Sequence, residues 1–403
     1  MNSPSRCHVC KSSSVTSFLE REQVPVHQNL LMQDARSAVE IPRGDLNLMV
    51  CEECGFVFNQ AFELSTLRYG ENYDNTQTCS PLFNKYVDGL VDHLVSEKGV
   101  RNCRIVEVGC GKGLFLRKLV EAGGSGNSGY GFDPSYTGPE IDLGGRLKFE
   151  RRYYGSECAN IAADVVICRH VIEHLQDPLA LLRTIRKSLI NSPCAKVFFE
   201  TPCVEWILRK HIIWDFFYEH CSYFSEDSLT TALEVSEFKV ESIQNVFGGQ
   251  YLWLEATALR LSDKSGLTKR PGSIPALAKR FAVSEEELIR VCKKEMVELS
   301  CQGGVALWGA GAKGVTLANL VDPERQWISC VIDLNPKKQG HYIPGTGHPI
   351  VAYQELAKYG VKTAILMNPN YCQENLALLR ESNLNIELVD LTDLARGIHE
   401  AHC

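Results

Sequence analysis

Long apolar runs are missing from this 403-residue chain, and with them the roughly 20 consecutive apolar residues that a membrane-spanning helix needs. The N-terminus, MNSPSRCHVCKSSS, carries no apolar stretch of the signal-peptide kind. A surplus of positive charge is missing too. Lys and Arg number 42 against 49 Asp and Glu, a net charge of −7. That balance gives no electrostatic reason to expect nucleic acid or an anionic membrane as partner. These absences predict a cytoplasmic protein whose 17 cysteines stay reduced, as metal ligands or small core residues, and not disulfides. What is present is ordinary globular composition, 44% apolar and 23% charged, in a chain too long for one hydrophobic core.

The first chemical pattern is Cys7-His-Val-Cys10, answered by Cys51-Glu-Glu-Cys54-Gly. Two C-x-x-C knuckles can set four thiolates tetrahedrally around one zinc ion. The second knuckle ends in a turn-forming Cys-Gly before a strand-like FVF, which favours structural zinc over two redox pairs or chance spacing. Four protein ligands leave no open position, so this zinc would hold structure and would not activate water. His8, inside the first knuckle, is read as a bystander.

Residues 104–113, RIVEVGCGKG, read as a strand, an acid and a glycine loop, with the helix FLRKLVEAG following. Glycine permits a sharp turn and a close backbone approach to a ligand. Dinucleotide enzymes carry a similar loop, so the loop alone decides little. Glu107 before it, and Asp133-Pro134 closing a second strand (GYGFDPS), suit a nucleoside, with Asp133 placed to accept ribose hydroxyls. Further strands are read at LKFERRYYG, ADVVICRH (163–170) and KVFFETP (196–202), with a turn and an amphipathic helix in VIEHLQDPLALLRTIRKSL. Alternating strands and helices predict an α/β, doubly wound parallel sheet with its ligand at the carboxyl edge. His170-Val-Ile-Glu-His174 also matches an inverted zinc-protease motif. That motif needs one long helix, whereas His170 closes a strand and Pro178 follows closely, so a protease is rejected.

Through E-V-G-C-G-K-G, Asp133 and H-V-I-E-H-L-Q-D-P, the chain resembles class I S-adenosylmethionine (SAM) methyltransferases with a Rossmann-like fold. The expected cofactor-binding residues are Tyr73, Glu107, Gly109, Cys110, Gly111, Gly113, Asp133, Pro134 and His170. A wider resemblance covers nearly the whole chain. Two zinc knuckles, a SAM domain, the block WDFFYEHCSYFS (214–225) and W-G-A-G-A-K-G (308–314) occur in this order in zinc-containing, three-domain sugar C-methyltransferases of antibiotic deoxysugar pathways. Those enzymes methylate a carbon beside the ketone of a nucleotide-linked keto-hexose. The resemblance implies His220 as the base, with Glu219 fixing its tautomer or binding a sugar hydroxyl, and His174 in the active site.

There is a departure from the family block Tyr-His-Glu-His: this chain has Phe217-Tyr218-Glu219-His220. The hydroxyl placed at the substrate is missing at Phe217, and Tyr218 or Tyr223 is the candidate replacement, although a one-residue shift on a strand faces the other way. Upstream, Tyr73 and Tyr69 are candidate lid residues over SAM, while Asn75 stands where the family has a tyrosine. In the C-terminal third, VALWGAGAKGVTLANL repeats the strand, glycine loop and helix, and lacks Walker spacing. The resemblance implies a SAM-free Rossmann-like unit gripping the substrate's nucleotide, with Lys313, Asn335 and Lys337 as candidates. The runner-up within the same fold methylates carbon, oxygen or nitrogen of a non-sugar natural-product intermediate, and an NAD-linked oxidoreductase using this second loop and a SAM-binding interaction module are the remoter readings.

The expected organisation is a zinc module (1–62), a helical lead-in (63–98), the methyltransferase domain (99–260), a linker and helix (261–300) and the C-terminal unit (301–403). The cofactors expected are SAM and structural Zn2+, and the partner expected is a small molecule.

Overall fold

The computed structural model describes residues 6–67, 73–192, 194–259 and 270–392, so Tyr69 and linker residues 261–269 lie outside the described part. Among the described residues the chain forms three sheets. It begins with β1 (Val15–Pro25), the short helix α1 (Ala35–Val39), β2 (Arg43–Cys51) and β3 (Val57–Asn59), the strands pairing antiparallel. All three residues of β3 are buried. An unpaired strand edge in a buried place would leave N–H and C=O groups without partners. A strand from far along the chain covers it, as described below.

Helix α2 (Pro81–Asp92) leads into the central sheet. Its Ser80 cap accepts from the Phe83 N–H at 3.1 Å. The Glu374 carboxylate receives the Ser80 hydroxyl at 2.8 Å and the Leu82 N–H at 2.9 Å, placing an anion where the helix dipole favours one. Then follow β4 (Arg104–Val108), α3 (Leu114–Ala122), β5 (Ser128–Phe132), β6 (Ile141–Asp142), β7 (Leu147–Glu150), β8 (Val165–Arg169), α4 (Pro178–Ser188), β9 (Lys196–Pro202) and α5 (Val204–Arg209). Next come β10 (Ser222–Tyr223), α6 (Glu226–Val235), β11 (Phe238–Val246) and β12 (Tyr251–Ala258). The sheet order is β11-β12-β9-β8-β4-β5-β7-β6, parallel from β9 to β7. Strand β12 runs antiparallel between β9 and β11.

Strand β8 reads VVICR because both of its faces are covered by helices, so alternation is not required of it. Helix α4 is capped by Asp177, starts on Pro178, and buries Leu179, Leu181, Leu182 and Ile185 against the sheet. Those four side chains supply on the order of 6–12 kcal/mol of apolar burial before entropy is counted. The doubly wound sheet expected from the sequence is therefore present. Strand β10 is not part of it: Ser222 pairs with Phe58 and Tyr223 with Val57, closing the first sheet on the buried edge of β3.

Helix α7 (Ile274–Gln302) is longer than the amphipathic segment read in the sequence. It packs against β1, β2, α5 and α8 (Ala312–Val321). Cys292 takes a fully buried place beside Leu288, Met296 and Leu299, and Val291 is only half-buried. The last sheet is wholly parallel in the order β15-β14-β13-β16-β17, with β13 (Gly304–Trp308), β14 (Ile328–Ile332), β15 (Ile350–Val351), β16 (Val361–Leu366) and β17 (Glu387–Val389); α9 (Cys372–Glu381) precedes β17. Among the described residues no helix is long and apolar enough to cross a membrane.

Candidate active site

At the carboxyl end of β4 the chain must turn away from the sheet at once. Gly109 does so at φ +70, where an added Cβ would lie 2.1 Å from Val171. Gly111 is different: nothing lies within 4 Å of its Cβ position, so the loop faces open space. Gly113 caps α3, and Cys110 is buried beneath the loop. Asp133, at the end of β5, accepts the Gly111 N–H at 2.8 Å, the Ser135 N–H at 2.7 Å and the Ser135 hydroxyl at 2.6 Å. About one of its four acceptor directions stays available, which suits one ribose hydroxyl. Pro134 follows, half-buried. Glu107 is buried with Oε2 unpartnered, and burial, partly opposed by Arg169, raises its carboxyl to about 7. Open space over a glycine loop and two acids short of partners fit a nucleoside cofactor.

The same device occurs again in the last sheet. Asp333 accepts the Ala310 N–H at 3.0 Å and the Asn335 N–H at 2.8 Å, closing the second glycine loop.

His170 closes β8 at φ 54, a left-handed value rare for a side chain larger than glycine. Its ring lies edge-on to Tyr251 at 4.6 Å, with Nδ1 3.4 Å from Glu173 and Nε2 3.6 Å from Glu200. Burial opposes its charge, but Glu200 and Glu173 outweigh that and lift its pKa to about 9. Burial likewise opposes ionisation of Glu200, yet Arg169 and His170 hold its carboxyl down at about 2. Glu200 also accepts the Tyr86 hydroxyl of α2 at 2.5 Å, tying that helix to the sheet floor.

The segment 213–223 crosses the mouth of this sheet. Arg21, ion-paired with Glu285 of α7 at 2.7 Å, donates to the carbonyls of Phe216 (3.0 Å) and Ile213 (2.7 Å), fixing the segment's course. A cavity of about 280 Å³ opens between it, the central sheet and the second glycine loop. His170, His174, Phe217, Glu219 and His220 line one side, with Lys313 and Lys338 opposite. His220 stacks edge-on to His174 at 4.7 Å and against Phe217 at 4.2 Å. Burial, then His174, His170 and Lys313, push its pKa well below 6.5, so it stands as neutral imidazole.

Glu219 is wholly buried and does not bond His220. Its carboxylate accepts the Gln28 N–H at 2.8 Å and the Tyr73 hydroxyl at 3.0 Å, with His27 Nδ1 at 3.2 Å. Its backbone carbonyl accepts from His174 Nδ1 at 2.9 Å. Tyr218 turns away from the cavity: its hydroxyl accepts the Glu63 N–H at 2.9 Å, and its ring fills the space a Cβ on Gly44 would need. Tyr223 spends its hydroxyl on the backbone of Phe217, accepting the N–H at 3.1 Å and donating to the carbonyl at 3.2 Å. Neither supplies the hydroxyl that Phe217 lacks.

Lys313 reaches the cavity, 2.8 Å from Asp215 and 5.0 Å from the centre of the Trp206 ring. Asn335 is buried below it and caps the Lys337 N–H at 3.0 Å, and Lys337 itself is exposed. The neighbour, Lys338, is the one that lines the cavity, buried and donating to the Ala310 carbonyl at 3.1 Å. Sequence reading missed Lys338, Gln28, His27 and Glu173. Only Glu173 carried a signal, inside the motif that was set aside.

Far from this cavity, Cys7 Sγ lies 3.6 Å from Cys54 Sγ and Cys10 Sγ 3.5 Å from Cys51 Sγ, and all four sulfurs fall within 4.8 Å of one another. Tetrahedral zinc with Zn–S of about 2.3 Å sets sulfurs about 3.8 Å apart, so the donor set fits. His8 stacks on Phe58 and stands outside the four.

Comparison with known proteins gives two matched segments. Residues 82–243 match a methyltransferase domain, and residues 275–383 match a C-methyltransferase C-terminal domain. The chain is 25% identical over 389 residues to the C-methyltransferase NovU of Streptomyces niveus, covering 91% of this chain and 90% of that protein. Among solved structures, a SAM-dependent methyltransferase from Aquifex aeolicus is 16% identical, with a TM-score of 0.36 over 45% of this chain and 96% of its own. An O-methyltransferase family protein from Burkholderia thailandensis is 13% identical, TM-score 0.35, over 44% of this chain and 56% of its own. A third, the 1,6-didemethyltoxoflavin-N1-methyltransferase of that organism with bound S-adenosylhomocysteine, is 14% identical, TM-score 0.33, over 45% and 82%. These three are likenesses of fold and no more. The two domain matches, in chain order, and a relative aligned end to end support the same conclusion: this chain is a SAM-dependent methyltransferase.

Proposed function

We propose that this methyltransferase alkylates a carbon next to a carbonyl, on a nucleotide-linked keto-deoxysugar, with His220 as the base. The observation that carries the reading is the state of His220: a neutral imidazole on the cavity wall, with no side-chain hydrogen bond among the described residues. A base must be deprotonated before it acts and must reach the acidic C–H, and this ring meets the first condition across the neutral range. Phe217 and His174 pack against it and limit its rotation. The Gly109–Gly113 loop and Asp133 would hold SAM, which would supply an electrophilic methyl.

The proton passes from the substrate carbon to His220, leaving an enolate facing His170, which is cationic below about pH 9, and Lys313. Fixed positive charge stabilises such an anion more than the neutral ketone, and so lowers the barrier. Lys313 and Lys338 stand where the second glycine loop meets the cavity, which suits the phosphates of a nucleotide. Tyr73, bonded to Glu219, stands at the cavity as a lid residue. Glu219 acts by position: it holds the segment that carries His220. One Zn2+ on Cys7, Cys10, Cys51 and Cys54 holds the first sheet, the partner of β10.

A second reading, methylation of a non-sugar intermediate, is favoured by one observation. Phe217 presents no hydroxyl, and Tyr218 and Tyr223 have both committed theirs elsewhere. Labelled-methyl SAM offered with a panel of nucleotide-linked 4-keto-hexoses decides between them. Labelled C–C product that vanishes in His220→Ala supports the sugar reading. Protein that binds SAM and transfers to no sugar overturns it and sends the search to other enolisable acceptors.

A further inference from the structure

We propose that Glu173, His174 and His220 form an open divalent-cation site of the zinc class in the cavity wall, and that an ion held there halts methyl transfer by occupying His220. The binding half stands on geometry, whereas the inhibitory half rests on His220 being the base.

The donor atoms of these three residues all lie within 4.8 Å of one another. Two imidazoles and one carboxylate are the donor set of open zinc sites, and a tetrahedral ion with ligands at about 2.1 Å wants donors about 3.4 Å apart. Glu173 is 1% exposed, and its Oε2 is fixed by the Thr201 hydroxyl at 3.0 Å. Its other oxygen, Oε1, is buried with no hydrogen-bond partner, only His170 Nδ1 at 3.4 Å. The charge of His170 faces this oxygen but no donor hydrogen-bonds it, which leaves a lone pair that an ion in the cluster would take.

The histidines are prepared as well. His174 faces the Glu219 carbonyl through Nδ1 at 2.9 Å, and a carbonyl only accepts, so Nδ1 donates there and Nε2 is the nitrogen that would ligate. A backbone carbonyl behind a histidine is the usual support for a metal ligand. His220 makes no side-chain hydrogen bond among the described residues, and its ring lies against that of His174. All three residues line the cavity, so a fourth position would open toward substrate. The Cys7, Cys10, Cys51 and Cys54 site is the opposite case, four thiols with no position left over. One lone pair on His220 cannot hold an ion and accept a proton, so metal binding and catalysis exclude each other.

The test uses the full chain and Co2+, whose spectrum separates the sites. Thiolate ligation gives charge-transfer bands, and a site of two imidazoles and a carboxylate gives d–d bands without them. The wild type should take two equivalents of Co2+, the second without new charge transfer. His220→Ala and Glu173→Gln should each keep the first equivalent and lose the second, with SAM binding confirming that they fold. Saturation at one equivalent in the wild type, or a second equivalent surviving in both variants, overturns the proposal. Alongside, added Zn2+ should inhibit labelled-methyl transfer, with at least a tenfold weaker effect on Glu173→Gln relative to its own metal-free rate. Equal inhibition of the two overturns the inhibitory half. If no acceptor turns over, the Co2+ titration still decides the site. If the titration shows one equivalent while His220→Ala abolishes transfer, the base stands and the metal site falls.

Discussion

The buried carboxylate of Glu219 accepts the backbone N–H of Gln28 at 2.8 Å, a hydrogen bond between residues 191 apart in sequence. It joins the cysteine-bearing first sheet to the segment that carries His220, and the pairing of β10 with β3 does so again three residues later. The first sheet therefore braces the segment that forms the cavity wall.

Removing that anchor should cost stability. Glu219→Ala leaves the Gln28 N–H buried without its acceptor and removes a partner from Tyr73 and His27, a loss of about 3–5 kcal/mol. Urea denaturation should show it, with Glu219→Gln losing less. Burial opposes ionisation of Glu219, but His27, His174 and the Gln28 N–H hold its pKa below 4.5. Its contribution is thus full above 4.5 and fades as pH falls through the depressed folded value. The gap between wild type and Glu219→Gln should narrow on acidification, and a gap that widens contradicts the ionised pairing.

For the base, His220→Ala should lower kcat by about 10²–10⁴-fold while leaving SAM affinity nearly unchanged. Since burial and neighbouring cations keep the ring neutral down to well below 6.5, the acid limb of kcat/KM should also lie below 6.5. A limb above that value would point to another base.

Glu107 gives a second pH signature. Its folded carboxyl titrates at about 7 against 4.5 when free, so folding favours the protonated form. Stability from this group is full below 4.5 and lost as pH rises through 7, a change of about 3 kcal/mol at most. Glu107→Gln should flatten that slope, measured as urea midpoints of SAM-free protein at about pH 5 and about pH 8. An unchanged slope would assign it to other groups.

Metal removal should act at a distance. Elemental analysis should find one tightly held zinc in the wild type and none in Cys51→Ser, and transfer activity should fall with it. The sheet beside these cysteines pairs with β10, and the loop after β1 contributes His27 and Gln28 to Glu219. A metal-free variant with full activity would separate the two.

Phe217→Tyr should return a hydroxyl to the cavity wall. One new hydrogen bond is worth about 0.5–1.5 kcal/mol, so turnover of a hydroxyl-bearing sugar acceptor should change by up to about tenfold. Competition between sugar and non-sugar acceptors measures it, and an unchanged ratio would remove Phe217 as a selectivity residue.

Short-range patterns were legible without coordinates. Glycine loops at 109–113 and 309–314, the strands around them and the paired C-x-x-C knuckles depend on residues within a few positions of one another, where φ/ψ preference and periodicity act directly. The direction of a side chain in an irregular segment does not. Tyr218 and Tyr223 look equally able to replace a lost hydroxyl, yet one bonds Glu63 and the other the Phe217 backbone, because Arg21 and β3 set the twist of residues 213–223. Lys337 and Lys338 are neighbours of one type, and the turn capped by Asn335 sends one to solvent and the other to the cavity. Composition and local pattern determined the sheet type and the cofactor loop. Which acid, lysine and histidines share one cavity was decided by contacts between distant residues, Arg21 and Glu285 being 264 apart, and no local preference encodes those.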